Sequence, residues 1–404
     1  MSISCKSSEA CGRQQISTRI VFFVAGFGLA SWAPLVPFAK AHVGIDEGAL
    51  GLVLLCLGAG SITTLPMAGA LAARFGCRQV VIGSAVPLCL TLPLLATAAS
   101  PVALAAGLFV FGAALGAIDV TMNIQAIIVE RRSGRSMMSS FHGLFSVGSI
   151  AGPSCMAALL DAGASPLAAM LCVTAGITAA LAVAAPNLLP YGSESRGPVF
   201  ALPRGIVLFI GALCFVAFLA EGAMVDWSAL FLTSVRGMNV VYAGLGYAAF
   251  SLTMTIGRLT GDRVMQRLGG RKIVIFGGLC AAMGFAIAAL VPVWQAVLLG
   301  YAFVGVGCSN IVPVLYTSAG RQKIVPEHAA VPAITTLGYA GILVGPAAIG
   351  FVAHAASLSV AFLCPDGSFG RRDGERTLTA GLDLCFRQAG NDHNCHSAFG
   401  TGRL

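Results

Sequence analysis

Charge is what this sequence is short of. Only 10% of its 404 residues are Asp, Glu, Lys or Arg, whereas 57% are hydrophobic. A water-soluble domain carries roughly 25% charged residues, so this chain cannot cover itself in water and needs lipid around most of its surface. The short alternating segments of a transmembrane barrel are missing as well. The apolar runs are long and continuous, so the spans are helices. Cysteine is present thirteen times, but no Cys-x-x-Cys or His/Cys cluster gives metal-ligand spacing, and most thiols stand alone in apolar runs as small hydrophobes. These features exclude a disulfide framework, a metal site and a metal cofactor. No G-x-x-x-x-G-K-[ST] loop cradles nucleotide phosphates, which excludes ATP-driven work by this chain alone. No nucleophile–base pair stands in the apolar runs, so an intramembrane enzyme is not expected. The leader, 1–18, lacks the apolar core of a cleavable signal peptide, which leaves the first span as the insertion signal.

What is present is membrane-spanning helix. A span needs about 20 apolar residues to cross a core of roughly 30 Å, and the chain reads as eleven such spans, from Arg19–Phe38 to Ala330–Ala353. Fifty glycines suit close helix contact in lipid. With the N-terminus in the cytoplasm, 17 Lys and Arg fall on that side, Arg74, Arg131, Arg258 and Arg271 among them. Only Lys40 and Arg236 fall opposite, before the tail. Such asymmetry is the positive-inside rule. It also accounts for the net charge of +8 without any nucleic acid.

The second half of the chain echoes the first. Phe23 and Trp32 bracket one apolar stretch, and Phe218 and Trp227 bracket another with the same spacing. Leu50-Gly51 is answered by Leu245-Gly246, and Arg74-Phe-Gly-Cys-Arg78 by Arg267-Leu-Gly-Gly-Arg271. Gly148-Ser-Ile-Ala-Gly152-Pro153 is answered by Gly341-Ile-Leu-Val-Gly345-Pro346. All the offsets lie between 193 and 195 residues. Two copies in the same orientation require an even number of spans each, and six fits. The expected organisation is a bundle over 19–188, a Gly/Pro/Ser-rich linker over 189–204, and a second bundle over 205–363. The fold class is an all-α polytopic membrane protein with two six-helix bundles related by a pseudo-two-fold axis, its twelfth helix truncated or altered.

With these features the chain resembles the major facilitator transporters. Gly69, Leu71, Arg74, Gly76 and Arg78 match that family's signature loop, although Ala73 stands where the family has an acid. The second copy keeps Asp262 and Arg263 before Gly270 and Arg271. The resemblance implies that these loops gate the cytoplasmic side. Glu221-Gly-Ala-Met-Val-Asp-Trp-Ser-Ala-Leu230, Gly244–Ser251 and Ser140-Phe-His-Gly-Leu144 resemble the MosC-like bacterial branch. That branch is associated with an amino-inositol compound, so the resemblance implies a polyol, inositol-like or sugar-like solute. It also implies alternating access in the bacterial inner membrane, and no cofactor. A drug or metabolite exporter of the same family, and a non-transporting sensor or scaffold, are the competing readings. A monomer is compatible with all of them.

Ionisable groups inside a bilayer are costly and usually face a cavity or a partner. Asp119, Glu221 and Asp226 qualify. Asp119 and Asn123, four apart, share a helical face, while Gln125 points elsewhere. A carboxyl taken out of water is easier to protonate, so Asp119 and Glu221 are candidates for coupling protons to solute. The alternative is permanent pairing that only holds helices together. His142 enters the fifth span at a depth near that of Asp119 and is a candidate for coupling or gating. Trp32 and Trp227 could form an aromatic wall or serve as interface anchors, and Asn310 could line the cavity or pack. Gly148, Gly152, Pro153, Gly341, Gly345 and Pro346 read as packing and hinge positions, because they recur in both halves.

After Leu363 the character changes: 364–404 is charged, polar and aperiodic. Leu358-Ser-Val-Ala-Phe-Leu363 begins like a twelfth span and then stops. A frameshift in the coding sequence accounts for this, and an eleven-span protein with an external tail is the alternative. His393, Cys395 and His396 lie in this stretch, whose composition is that of a disordered segment rather than a metal site.

Overall fold

The computed structural model describes residues 8–192, 204–239 and 242–355, with Ser359. The tail 364–404 and most of the linker lie outside the described residues. Helix α1 (Ser8–Ser31) passes through a 3-10 turn into α2 (Val36–Val43), followed by α3 (Glu47–Phe75), α4 (Cys77–Thr97), α5 (Pro101–Ser133), α6 (Met138–Asp161) and α7 (Pro166–Ala184). The second half holds α8 (Ile206–Leu230), α9 (Leu245–Leu268), α10 (Gly270–Leu290), α11 (Trp294–Cys308), α12 (Ile311–Arg321) and α13 (Glu327–Ala355). No strand occurs among the described residues.

Ten helical stretches among the described residues are long and apolar enough to cross a membrane. The expected eighth span corresponds to α9, a helix of 24 residues. Ser251, Thr253, Thr255, Arg258 and Asp262 dilute its apolar character, which is why length and apolarity alone pass it over. Helices α11 and α12 belong to one apolar stretch, Trp294–Arg321, interrupted at Ser309 and Asn310.

Local chemistry sets the helix ends. At the end carrying Lys40 and Arg236, Asp46 accepts the Ala49 N–H at 2.7 Å. Ser100 and Ser165 accept those of Ala103 and Ala168, each at 3.2 Å. Pro101 and Pro166 fill first-turn positions that have no hydrogen bond to lose. At the opposite, arginine-rich end, α3 turns into α4 at Gly76 (φ 84°) and α9 into α10 at Gly269 (φ 76°). Both glycines sit in the left-handed region that a side chain would strain, at equivalent places in the repeat.

The repeat is also visible in packing. Gly148 and Gly152 of α6 lie against the backbone of Phe23 and Phe27 in α1, and Gly341 and Gly345 of α13 lie against Phe215 and Leu219 of α8. Pro153 is inside α6 and Pro346 inside α13. Where the halves meet, however, the two ends of the molecule differ. One buried cluster runs through the first half and, at the arginine-rich end, continues into Ile210, Val314 and Ile334 of the second. Toward the other end the second half has its own separate cluster around Met224, Phe231, Phe250 and Tyr301. The halves therefore share a core at the arginine-rich end and part toward the other.

Close approach at glycine yields a direct test. A Cβ on Gly112 of α5 would collide with the backbone of Leu57 in α3, whereas one on Gly83 of α4 would meet nothing within 4 Å. Overpacking costs typically 1–3 kcal/mol or about that order. Gly112→Val is expected to lower the melting temperature and broaden the size-exclusion peak, and Gly83→Ala to leave both unchanged.

Candidate functional site

Asp119 is the centre of the buried polar chemistry. It lies midway along α5, where the helical repeat brings Asn123 back to the same face. The Asn123 amide donates to the Asp119 backbone oxygen at 2.9 Å and to its Oδ1 at 3.3 Å. From α13, in the other half, the Tyr339 hydroxyl lies beside the same carboxylate. Asp119 and Tyr339 are both half-buried, while Asn123 is fully buried with its Oδ1 unpartnered. Among the described residues no ion pair reaches Asp119.

Glu221 has a different environment. Its carboxylate is paired with Arg258 of α9 at 3.1 Å, with the side chains 17% and 7% exposed. The guanidinium uses its other nitrogens as well. Nη1 donates to Ser146 Oγ of α6 at 2.9 Å, and Nε to the Ser309 carbonyl at 3.3 Å. Ser309 is the interruption between α11 and α12, so Arg258 supplies a donor to a carbonyl next to the helix break. The positive-inside count places Arg258 among the cytoplasmic loop charges; the structure places it inside the bundle. The signal was present, since Arg258 falls within the expected eighth span and an intramembrane Arg marks a site.

The other expected site residues are distributed as follows. His142 is buried, its ring against Phe22 and Tyr316, with Nε2 unpartnered. It is Tyr339, not His142, that meets Asp119. Asn310 donates to the Gly257 carbonyl at 3.0 Å and so ties α12 to α9. Gln125 bridges α1 and the segment after α7, donating to Thr18 at 3.0 Å and accepting from the Leu189 N–H at 3.2 Å. Trp32 is buried in the cluster of the first half, and Trp227 packs near Gly350 beside the separate cluster of the second. Asp226 is exposed.

At the arginine-rich end the polar groups build a closure around the start of α6. The N-cap position, Met137, has no side-chain cap of its own. Glu130 accepts the N–H groups of Met137 and Met138, each at 2.8 Å, and the Thr317 hydroxyl at 2.8 Å. Asp262, from the other half, accepts the N–H of Ser139 at 3.1 Å and that of Ser140 at 3.3 Å. Across the same end Arg131 is ion-paired with Glu327. Gly69 lies against the backbone of His328 and the ring of Pro332. Of the remaining signature-loop residues, Gly76 holds the turn described above, and Arg74, Arg78 and Arg263 are exposed. Arg271 starts α10 and is half-buried.

Removing the acceptor from the second half leaves two amide groups of α6 without partners, each unmet group costing about 1–3 kcal/mol when buried. Asp262→Ala is therefore expected to part the halves at this end. Spin labels on the exposed pair Arg78→Cys and Lys272→Cys should report a longer and broader distance distribution than in the parent. An unchanged distribution would show that the remaining contacts between the halves hold the closure without Asp262.

Comparison with known proteins agrees with this geometry. The Major Facilitator Superfamily profile matches residues 20–346. A transporter of that type from Yersinia pestis, itself uncharacterised, is 54% identical over 352 residues, covering 87% of this chain and 92% of that protein. The membrane protein MosC of Rhizobium meliloti is 32% identical over 344 residues, covering 85% and 84%. Among solved structures, the fucose:proton symporter FucP in its outward conformation superposes with a TM-score of 0.73 at 16% identity, over 92% of this chain and 97% of that one. An outward-facing bacterial homologue of the iron transporter ferroportin gives 0.69 at 12% identity, over 93% and 99%. The chain belongs to the major facilitator superfamily of membrane transporters.

Proposed function

We propose that the chain is a secondary active transporter of a small polar organic solute, a polyol, inositol-like or sugar-like compound, coupled to protons through Asp119. It works by alternating access in a bacterial inner membrane. The arginine-rich end is cytoplasmic, with the N-terminus on that side, and the halves correspond to 19–188 and 205–363. A closure at the cytoplasmic end with separate cores at the other corresponds to an outward-facing state.

The observation that carries this reading is the setting of Asp119. It is a carboxylate between the halves, bonded by a neutral amide of its own helix, beside a phenol of the other half and without a cation, at a depth where a solute and a proton can compete for it. An uncompensated charge is expensive once the cavity closes, and a proton removes that cost. The MosC-like motifs of the sequence motivate the solute class, and the protein named as a fucose:proton symporter shows that this fold is compatible with such coupling.

A ligand that binds only the folded form stabilises it by RT ln(1 + [L]/Kd), about 2.7 kcal/mol at a hundredfold excess over Kd. Thermal stability of the purified protein is to be measured with inositols, amino-inositols, sugars and lipophilic cations at two pH values. The expected outcome is a pH-dependent stabilisation by a polyol that disappears in Asp119→Asn. Stabilisation by lipophilic cations alone would favour the exporter. Full, pH-dependent stabilisation by a polyol in Asp119→Asn would remove Asp119 from the mechanism.

A further inference from the structure

Arg258 is used by none of the steps above, yet it is a cation only 6% exposed in a membrane-spanning bundle. Its three nitrogens reach three different helical elements. Nη2 is held by Glu221 of α8, Nε by the Ser309 carbonyl at the break before α12, and Nη1 by Ser146 of α6. The first two partners belong to the same half as Arg258 and fix its position. The third belongs to the other half, and its hydroxyl in turn donates to the His142 backbone oxygen of α6 at 3.3 Å. A planar guanidinium can serve all three directions at once, which a lysine ammonium on a flexible stem does not match.

We propose that Arg258 is a latch between the halves, a positioning residue that holds the arginine-rich end closed through Ser146, with Glu221 as its fixed counter-charge rather than a proton carrier. The inference rests on the transport reading only in calling the closed end the cytoplasmic gate. When the halves rock apart at that end, the bond to Ser146 is the one that must break, because the bonds to Glu221 and Ser309 move with Arg258 as one body. Glu221 keeps the guanidinium charge compensated in both states, which allows an arginine to remain in the bundle throughout the cycle. Asp119, by contrast, has no such partner. The two intramembrane acids thus have different tasks: one is permanently neutralised by a cation and the other is free to exchange its proton.

The latch can be read without any solute, so its failure is distinguishable from failure of the polyol reading. Ser139 is buried between the halves at the closed end, 3% exposed, and its contact with Asp262 is through the backbone. In the full chain carrying Ser139→Cys, the rate at which N-ethylmaleimide modifies position 139, read by peptide mass, reports opening of that end. Ser146→Ala removes the acceptor and should raise the rate on the order of tenfold, the effect of losing one hydrogen bond to a charged group, with the melting temperature little changed. Arg258→Lys keeps the charge beside Glu221 but not the three-way geometry, and should give the same rise, so the test stands even where Ser146→Ala does not accumulate.

Neutralising the pair separates the latch from the counter-charge. Glu221→Gln alone leaves a buried cation unpaired and should melt earlier. Adding Arg258→Met should restore the melting temperature while labelling stays fast. Labelling rates within twofold of the parent in both Ser146→Ala and Arg258→Lys would overturn the latch. Return of the double variant to the parent labelling rate would overturn it too.

Discussion

A helix that begins inside the protein has four amide groups with nothing to bond to, and in this molecule the start of α6 meets that constraint with two carboxylates. Glu130 comes from the neighbouring helix of the same half, and Asp262 comes from the other half. Neither half can satisfy the end of α6 by itself. The arrangement closes the arginine-rich end as a consequence of helix capping, and the shared core around Ile127, Val314 and Ile334 fills in beneath it. Glycines such as Gly69 and Gly143 then let the backbones come near enough for the caps to reach. A transporter of this family has to break one end to open it, and hydrogen bonds of this type suit the purpose. Each is worth about 1 kcal/mol net, so a handful can be exchanged for water within a cycle, whereas a continuous apolar interface could not.

The duplication explains the packing and not the chemistry. Gly76 and Gly269 turn the chain identically, and the α6–α1 contact at Gly148 is repeated by the α13–α8 contact at Gly341. At the same offset, Asp119 corresponds to the stretch Val312–Val314, Glu221 to Gly26–Gly28, and Arg258 to Thr63–Leu65. None of these counterparts is charged. Asp262 likewise corresponds to the uncharged stretch Met67–Gly69. The first half answers with the Arg131–Glu327 pair and a bare glycine contact at Gly69. Small residues were retained in both copies because both bundles must pack in lipid, where close approach is the main attraction. Of the charges set inside the bundle, Glu221 and Arg258 meet each other and Asp119 meets a neutral amide.

How much of this could be read in the sequence follows from the range of each interaction. Spans, glycine contacts and the Asp119–Asn123 pair were legible, because apolar runs, repeats and a spacing of four are local signals. The interruption of the tenth span was not, since Ser309 and Asn310 sit inside an otherwise apolar run and their satisfaction by Arg258 and Gly257 comes from about fifty residues away. Tyr339 gave no signal, as a tyrosine in a span is ordinary until its partner is known. Arg258 was misread for a definite reason. Counting positive charges by side works on loop residues, and an arginine one residue from the end of an expected span looks like one of them. Its depth becomes visible only when α9 is seen to continue to Leu268, which moves Arg258 nearly three turns inward from the helix end.

The two acids also show why depth in the membrane does not determine role. Taking an ion out of water costs several kcal/mol in practice, and a well-placed counter-ion largely offsets it. Glu221 has that counter-ion within 3.1 Å, so ionised Glu221 and Arg258 together present no net charge to a closing cavity. Asp119 has an amide and a phenol, which soften the cost of a charge but do not cancel it. On the proposed reading, closure around a solute is therefore easy with Asp119 protonated and difficult with it ionised, while Glu221 makes no such demand. The coupling that results needs no dedicated proton channel and no change in Glu221. It needs one carboxylate to be left without a cation in a bundle where the buried Arg258 is already fully engaged.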